Sequence, residues 1–387
     1  MKKSISKIIA LILVLSLALC SMGIGASALT PTEERHLKFN SDGKFTILNF
    51  SDFQDGALGN PLTNGFIEKS IEKYKPDLIV LTGDNIAGYR CPTKLQVKAA
   101  IDSFMKVFEK MGVPVAIVFG NHDSQNSVSR ETQMKWYESY SCNISYDEGD
   151  SIDGVGTYNV PIYSSDGSDK VSFNLFMFDS GANDAVNGGY DHLKQSQIDW
   201  YKQTSEKLNE ENGGTVYSIA FQHIIVKEIY DALKVTDHDG DNTIKSKGVY
   251  YTLPDDAAAG STLGEAPMPG TINSGEYQAF LDEGNVLATV SGHDHVNSFV
   301  IPYKGIDIIN TPTSGMGSYG NKATRGGRVF VLDENNPQNY ETYTYTFAEL
   351  YKSNGFVSFL LDLREFYDNF INFFKDLFYK VTGSGGF

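Results

Sequence analysis

Five polar clusters in the chain bring together Asp, Asn, Gln and His, and each follows an apolar run. They are Asp52-Phe53-Gln54, Gly83-Asp84, Gly120-Asn121-His122-Asp123, Gln222-His223 and Gly292-His293-Asp294-His295. Carboxylates, imidazoles and amide oxygens together suit a hard-to-borderline divalent ion such as Mn, Fe or Zn. Asp52, Asp84, Asn121, His223, His293 and His295 suffice for two such ions if one carboxylate bridges. Two ions ~3.5–4 Å apart clamp a substrate for in-line displacement and activate a water. Any one cluster alone reads as a turn or a structural histidine. Five, always after an apolar run, are hard to attribute to turns.

The runs that precede the clusters read as strands. Phe45–Phe50, Asp77–Leu81 and Val113–Phe119 alternate with helical patterns at Asn64–Lys75, Thr93–Met111 and Ser129–Tyr140, which argues for βαβ units and a largely parallel sheet. Ligands bind outside the carboxyl ends of such strands, where the clusters stand. Gly156–Tyr163 and Val171–Phe178 are expected to pair antiparallel around Ser164-Ser165-Asp166-Gly167. A helix at Lys194–Glu210, strands at Val216–Gln222 and Val286–Ser291, and several short strands in Ser298–Thr346 complete the pattern. The expected fold class is α/β, with two mixed sheets packed face to face and helices outside. Residues 231–273, rich in Asp, Gly, Pro and Ala, fit no regular pattern and read as a lid or binding loop.

The chain's 387 residues carry a formal charge of −16. Lys2, Lys3 and Lys7, the apolar run Ile8–Leu19 and Ala26-Ser27-Ala28 have the layout of a secretory leader cut after Ala28. The alternatives are a retained anchor, for which the run is shorter than the ~20 residues of a span, and lipoprotein processing at Cys20, where Leu19 is too bulky. Cleavage would remove three lysines and no acid, taking the charge from −16 to −19. So acidic a chain is not expected to bind a nucleic-acid backbone. Cys91 and Cys142 would then remain, either bridged or as thiols. The expected organisation is a leader at 1–28, one domain over 29–350 and a helix over 356–382.

Taken in order, the clusters resemble the motifs of the calcineurin-like metallophosphoesterase superfamily: D-x-H, G-D, G-N-H-[DE], a separate His, and G-H-x-H. The likeness spans roughly residues 44–335. Phe178-Asp179-Ser180-Gly181 and Gly189-Tyr190-Asp191 resemble its purple-acid-phosphatase-like phosphohydrolase branch. The resemblance implies a four-layer sandwich and a dinuclear centre in which Asp84 bridges. Asp52, Gln54 and His295 would complete one ion's ligands, and Asn121, His223 and His293 the other's. It further implies that His122, with Asn121, binds the substrate phosphate, and that His122 stabilises or protonates the leaving oxygen. The implied nucleophile is a water, so no Ser or Cys is required. Two positions depart from the pattern. Gln54 stands where His is usual, and Ala87 stands where purple acid phosphatases place a tyrosine, Tyr89 being two residues out of register.

The implied activity is that of a secreted metal-dependent phosphoesterase acting on a small phosphorylated substrate. The alternatives are a phosphodiesterase or nucleotidase of the same fold, or a non-catalytic metal-binding protein. Asp237, Asp239 and Asp241 hint at a calcium loop but lack the bidentate Glu, so a polar turn is expected. His36 and His238 read as surface residues and His192 as surface or near the site. In the tail, Phe359, Leu363, Phe366, Phe370, Phe373 or Phe374, Leu377 and Val381 recur at helical spacing. That stripe suits packing on the core, self-association, or a peripheral membrane contact; its polar residues are mixed in sign, which favours protein.

Overall fold

In the strands Leu78–Thr82 and Val115–Val118 every residue is buried, the signature of a sheet covered on both faces. The computed structural model describes residues 36–382, with side chains described through residue 371; the leader expected at 1–28 lies outside them. A five-stranded sheet runs, edge to edge, Tyr340–Thr346, Gly326–Asp333, Lys44–Phe50, Leu78–Thr82, Val115–Val118. Its last three strands are parallel and its first two antiparallel. A seven-stranded sheet runs Leu37–Lys38, Tyr158–Tyr163, Val171–Met177, Ser218–Phe221, Val286–Ser291, Ile306–Asn310, Phe299–Tyr303. Val171–Met177 through Ile306–Asn310 are parallel, and the Tyr158–Tyr163 pairing with Val171–Met177 is antiparallel, as expected.

The two sheets pack face to face, because adjacent strand residues serve different cores. Ile47, Val80 and Val118 meet Phe173, Leu175 and Val290 between the sheets. Leu48, Ile79 and Ile117 face the helices Pro61–Tyr74 and Lys94–Met111. On the far side, Phe176, Ala220 and Val286 pack under Gln195–Asn212 and Glu276–Glu283. The fold is therefore the expected four-layer α/β sandwich. Helix starts are set locally. The Thr93 hydroxyl accepts from the Gln96 amide N–H while Gln96 Oε1 accepts from the Thr93 N–H, and Asn60 Oδ1 accepts from Leu62 N–H ahead of Pro61. Across the sandwich, buried Arg328 donates to the Asn310 carbonyl (3.1 Å) and Thr311 Oγ1 to Asn49 Oδ1 (2.5 Å), tying the sheets together near one rim.

Three expectations need correction or completion. Residues 231–273 contain a three-stranded antiparallel sheet of Lys234–Thr236, Val249–Thr252 and Thr243–Ser246. These strands are short and mostly solvent-facing, so they carry no apolar alternation to read. Cys91 and Cys142 are both buried and are not bridged to each other. The last helix spans Gly355–Thr382, and the expected stripe residues Phe373, Phe374, Leu377 and Val381 lie outside its described side chains; among the described ones the aromatic stripe does not pack on the core. Val357 and Leu361 take that place, leaving Phe356, Phe359, Leu363, Phe366 and Phe370 exposed. No helix among the described residues is long and apolar enough to cross a membrane.

Glu276 opens the helix Glu276–Glu283, buried against Gln222, whose Nε2 donates to Oε1 at 3.3 Å. Burial pushes this carboxyl up to about 8. An unfolded chain releases the same proton near pH ~4.3, so the stability that Glu276 holds below that value is lost as pH rises to about 8. Glu276→Gln removes the titration. The melting temperature of the variant relative to the parent should rise between pH 5 and pH 8; an unchanged difference would show that Glu276 is not a buried acid.

Candidate metal centre

The parallel strands of both sheets end at one rim, and the loops that follow them interlock. Asp52, Gln54, Asp84 and His293 all sit at positive φ (55°, 45°, 50° and 71°), a region side chains other than glycine rarely adopt. Such positions cost ~1–3 kcal/mol each and persist where the surroundings fix them. Close backbone approach fixes them here. A Cβ on Gly120 would strike the Asp84 backbone nitrogen and Oδ1, and one on Gly292 would strike Ser51 Oγ and Asp52 Oδ2. Asp123 clasps the loops, accepting from the N–H groups of Gly120 (2.8 Å), Asn85 (3.2 Å) and Ile86 (3.0 Å). It is not among the ligating groups of the rim.

Two sets of ligating groups result, both buried: Asp84 with His223 and His293, and Asp52 with Asp84 and His295. Asp84 belongs to both. Its Oδ1 accepts from the His122 N–H at 2.7 Å, and its Oδ2 lies 3.4 Å from His223 Nε2 and 3.1 Å from Gln54 Nε2. On one side, His295 Nε2 stands 3.2 Å from Asp52 Oδ1 and 3.1 Å from the Gln54 amide. Turning that amide by 180° presents Oε1 to the same point. On the other side, His223 Nε2 lies 3.1 Å from Asn121 Oδ1 and 3.2 Å from His293 Nδ1. The far ring nitrogens are held from behind, His223 Nδ1 by the Thr82 carbonyl (2.8 Å) and His295 Nδ1 by the Tyr319 carbonyl (3.2 Å). That arrangement turns each Nε2 into the site, as metal-ligating histidines require.

The electrostatics fit cations at this place. Burial by itself would raise the Asp84 carboxyl, but the neighbouring His223, His122 and His293 rings hold it well below the carboxylate range. Burial likewise opposes ionised Asp52, and His295 overcomes it. His223 is pushed up to about 9, burial being outweighed by Asp84 and Asp52. His293 is driven down to about 3 by burial and by the adjoining His223. Two imidazole nitrogens 3.2 Å apart cannot both carry charge. Asp52 Oδ1 is buried and meets no donor except the facing His295 Nε2 at 3.2 Å. Buried carboxylate oxygens, facing imidazole nitrogens and nearby amide oxygens are together the donor set of divalent ions of the Mn, Fe or Zn kind.

His122 belongs to neither set. Its Nε2 stands 3.9 Å from Asp84 Oδ2, its Nδ1 lies 2.6 Å from Gln125 Oε1, and its side chain is 28% exposed to a cleft. That cleft, of about 340 Å³, has Gln54, Asp84, His122, His293 and His295 in its floor and Tyr89, Arg90, Tyr190, Tyr319, Arg364 and Tyr367 in its walls.

All of Asp52, Gln54, Asp84, Asn121, His122, His223, His293 and His295 are thus brought to one rim. His36 and His238 are exposed, and His192 lines a separate small cavity beside Glu276. The Asp237–Asp241 turn is outside both ligand sets. Ala87 is buried, and Tyr89 packs its ring on His122 (5.1 Å between centroids) rather than joining the ligands. Gln125 and Tyr319 were not singled out from sequence, and Tyr190 only as part of the Gly189-Tyr190-Asp191 motif. Gln125 orients His122, Tyr190 stands edge-on to His293 (4.2 Å), and Tyr319 stacks on His295 (4.1 Å). The available signal for Tyr319 was a sixth strand end, Ile306–Asn310 running into Thr311–Tyr319.

Gly292→Ala should test how tightly the loops interlock. The added methyl displaces Asp52 while leaving every candidate ligand present, so Mn²⁺ affinity measured by titration calorimetry should fall ~10–100-fold, the usual scale for disturbing a ligand's support. Unchanged affinity in a folded variant would show that Asp52 tolerates the displacement.

A family model described as calcineurin-like phosphoesterase matches residues 45–297. A protein of Arabidopsis thaliana named "Probable inactive purple acid phosphatase 14" is 30% identical over 320 residues, 74% of this chain and 74% of the relative. A second from the same plant, "Probable inactive purple acid phosphatase 29", is 30% identical over 354 residues, 81% of this chain and 84% of its own. Among solved structures, a dimetal phosphatase from Danio rerio aligns with a TM-score of 0.48 at 13% identity, covering 78% of this chain and 99% of that one. The family match begins at the strand that carries Asp52 and ends just past His295, enclosing all five clusters, and the chain belongs to the calcineurin-like phosphoesterase family.

Proposed function

We propose that the chain is a secreted, metal-dependent phosphoesterase acting on small phosphate esters. The observation that supports this best is the position of Asp84. It is shared by two buried ligand sets on the floor of an open cleft, and a non-ligating histidine faces it from the rim. One ion would take Asp52, Gln54, Asp84 and His295, and the other Asp84, Asn121, His223 and His293. Two divalent ions, Mn, Fe or Zn, would supply Lewis acidity and an activated water for in-line displacement at phosphorus.

The chain's own residues supply the rest. His122 donates from Nε2 to the departing oxygen, with its Nδ1–H held on Gln125 Oε1 so that the ring faces the cleft. Arg90 and Arg364 bring positive charge to the mouth of an acidic protein, where a phosphate enters. Tyr89, Tyr190, Tyr319 and Tyr367 give the walls an aromatic lining that an ester's organic group can stack on. Secretion rests on the leader layout of residues 1–28.

Two observations favour a second reading, a metal-binding protein of this fold without catalysis. Gln54 is a neutral, weaker donor than the usual histidine, and the plant relatives carry "inactive" in their names. A panel of phosphomonoesters, phosphodiesters and nucleotides assayed with Mn²⁺, Zn²⁺ and Fe²⁺ separates the readings. Metal binding with no turnover of any of them would overturn the enzyme.

His122→Ala should keep its metal but lose ~10²–10⁴-fold in rate, with the loss shrinking for nitrophenyl esters, whose leaving group needs no proton. Gln125→Ala should show a smaller loss with the same leaving-group trend. An equal loss for good and poor leaving groups would assign His122 to phosphate positioning. Gln54→Ala should deplete the ion at Asp52 and His295 selectively, halving metal content by elemental analysis. Unchanged content and affinity would remove Gln54 from the ligands.

A further inference from the structure

Residues 231–273, the insert that contains the small sheet, return to the rim through 262–268 and are stitched there to the loop of His293 and His295. Buried Asn297 accepts at Oδ1 from the backbone N–H groups of Gly264 (2.8 Å) and Glu265 (3.0 Å), and its Nδ2 donates to the Glu265 carbonyl (3.0 Å). Asp294 Oδ1 accepts from the Met268 N–H at 3.2 Å, and Thr262 pairs with Ser298. The Glu265 backbone is thereby fixed against the segment that follows His295, and only its carboxylate is left to place.

That carboxylate grips His295 from two directions. Oε1 accepts from the N–H of Val296, the next residue in the chain (3.0 Å), and Oε2 accepts from the Tyr319 hydroxyl (2.7 Å). Tyr319 in turn lays its ring on the His295 imidazole, with 4.1 Å between centroids and 25° between planes, and offers its carbonyl to His295 Nδ1 at 3.2 Å. The loop that carries Tyr319 has glycines at 315, 317 and 320, a composition that leaves a backbone many conformations. Arg90, Arg325 and Arg364 tie its carbonyls from Gly315 to Ser318, and Glu265 holds the tyrosine side chain itself.

We propose that Glu265 is a positioning residue for one ion of the centre, the one assigned to Asp52, Gln54, Asp84 and His295; the inference rests on the dinuclear reading given above. Groups that orient a metal-ligating histidine from behind control how well it binds, and two observations make the effect one-sided. The first ion has His295 as its single imidazole, its neighbour Gln54 being a neutral and weaker donor, so the aim of that one ring governs its affinity. The other ion has two imidazoles, braced by other groups. His223 Nδ1 lies on the Thr82 carbonyl at the end of a fully buried strand, and the His293 N–H donates to Asp52 Oδ2 at 3.0 Å. A residue of the insert thus holds a metal ligand in place without being one.

Titration calorimetry with Mn²⁺ on the purified, metal-stripped protein tests this. The parent should show two sites. Glu265→Ala should weaken one of them ~10–100-fold, the scale for disturbing a ligand's support, and leave the other unchanged. Tyr319→Phe keeps the Glu265 charge and the stacked ring but removes the hydroxyl, so a smaller loss at the same site separates positioning from plain charge attraction. It also carries the test should Glu265→Ala fail to fold. In His295→Ala, which removes the first ion's imidazole, adding Glu265→Ala should cost the remaining ion nothing. Equal weakening of both ions, full affinity in a folded Glu265→Ala or Tyr319→Phe protein, or a further loss in the His295→Ala background would each overturn the positioning role. A parent that binds fewer than two ions would instead overturn the dinuclear reading, and this inference with it.

Discussion

Burial of the Asp84 carboxylate is the constraint on which the rest of the rim depends. A charge withdrawn from water needs partners on every side, and the chain delivers them from four other loops spread over some 240 residues of sequence. The His122 backbone N–H, the Gln54 amide and the rings of His223 and His293 all converge on it. The glycines at 120 and 292 exist because those loops must touch, and Asp123 exists as the clasp. Seen this way, the ligand sets and the loop geometry are one arrangement.

The architecture explains how strained backbone is kept in place. Four residues at positive φ would relax if the loops were free. Each follows at most a few residues after a strand buried on both faces, and three separate apolar cores hold those strands in register. Arg328, Asn310, Thr311 and Asn49 add a polar tie between the sheets near the same rim. Rigidity at the centre comes from the layers beneath it, which leaves the cleft walls free to differ.

The ligands were legible in sequence because each follows an apolar run: Asp52, Asp84, Asn121, His223, His293 and His295 stand out against Ile, Val and Leu. The sandwich was legible for the same reason, since strands buried on both faces are continuously apolar. Gln125 was not, because it lies in a polar turn where nothing marks a side chain as facing inward. Arg90, Tyr190, Tyr319 and Arg364 come from turns, from a loop and from the tail, and only the packed chain brings them to one cleft. The small sheet within 231–273 escaped because its strands alternate between solvent and solvent. The pairing of Gly326–Asp333 with Lys44–Phe50 escaped because strand order across such separations leaves no local trace.

That last pairing bears on how the protein is made. The strand that delivers Asp52 lies mid-sheet, and its antiparallel neighbour is synthesised about 280 residues later. Until Gly326–Thr346 has emerged, Lys44–Phe50 is an open edge of apolar strand, the kind of surface that pairs promiscuously with other chains. A ribosome-bound or truncated product therefore cannot close this sheet. Closure of this sheet waits on the last third of the sequence, whatever has folded before it.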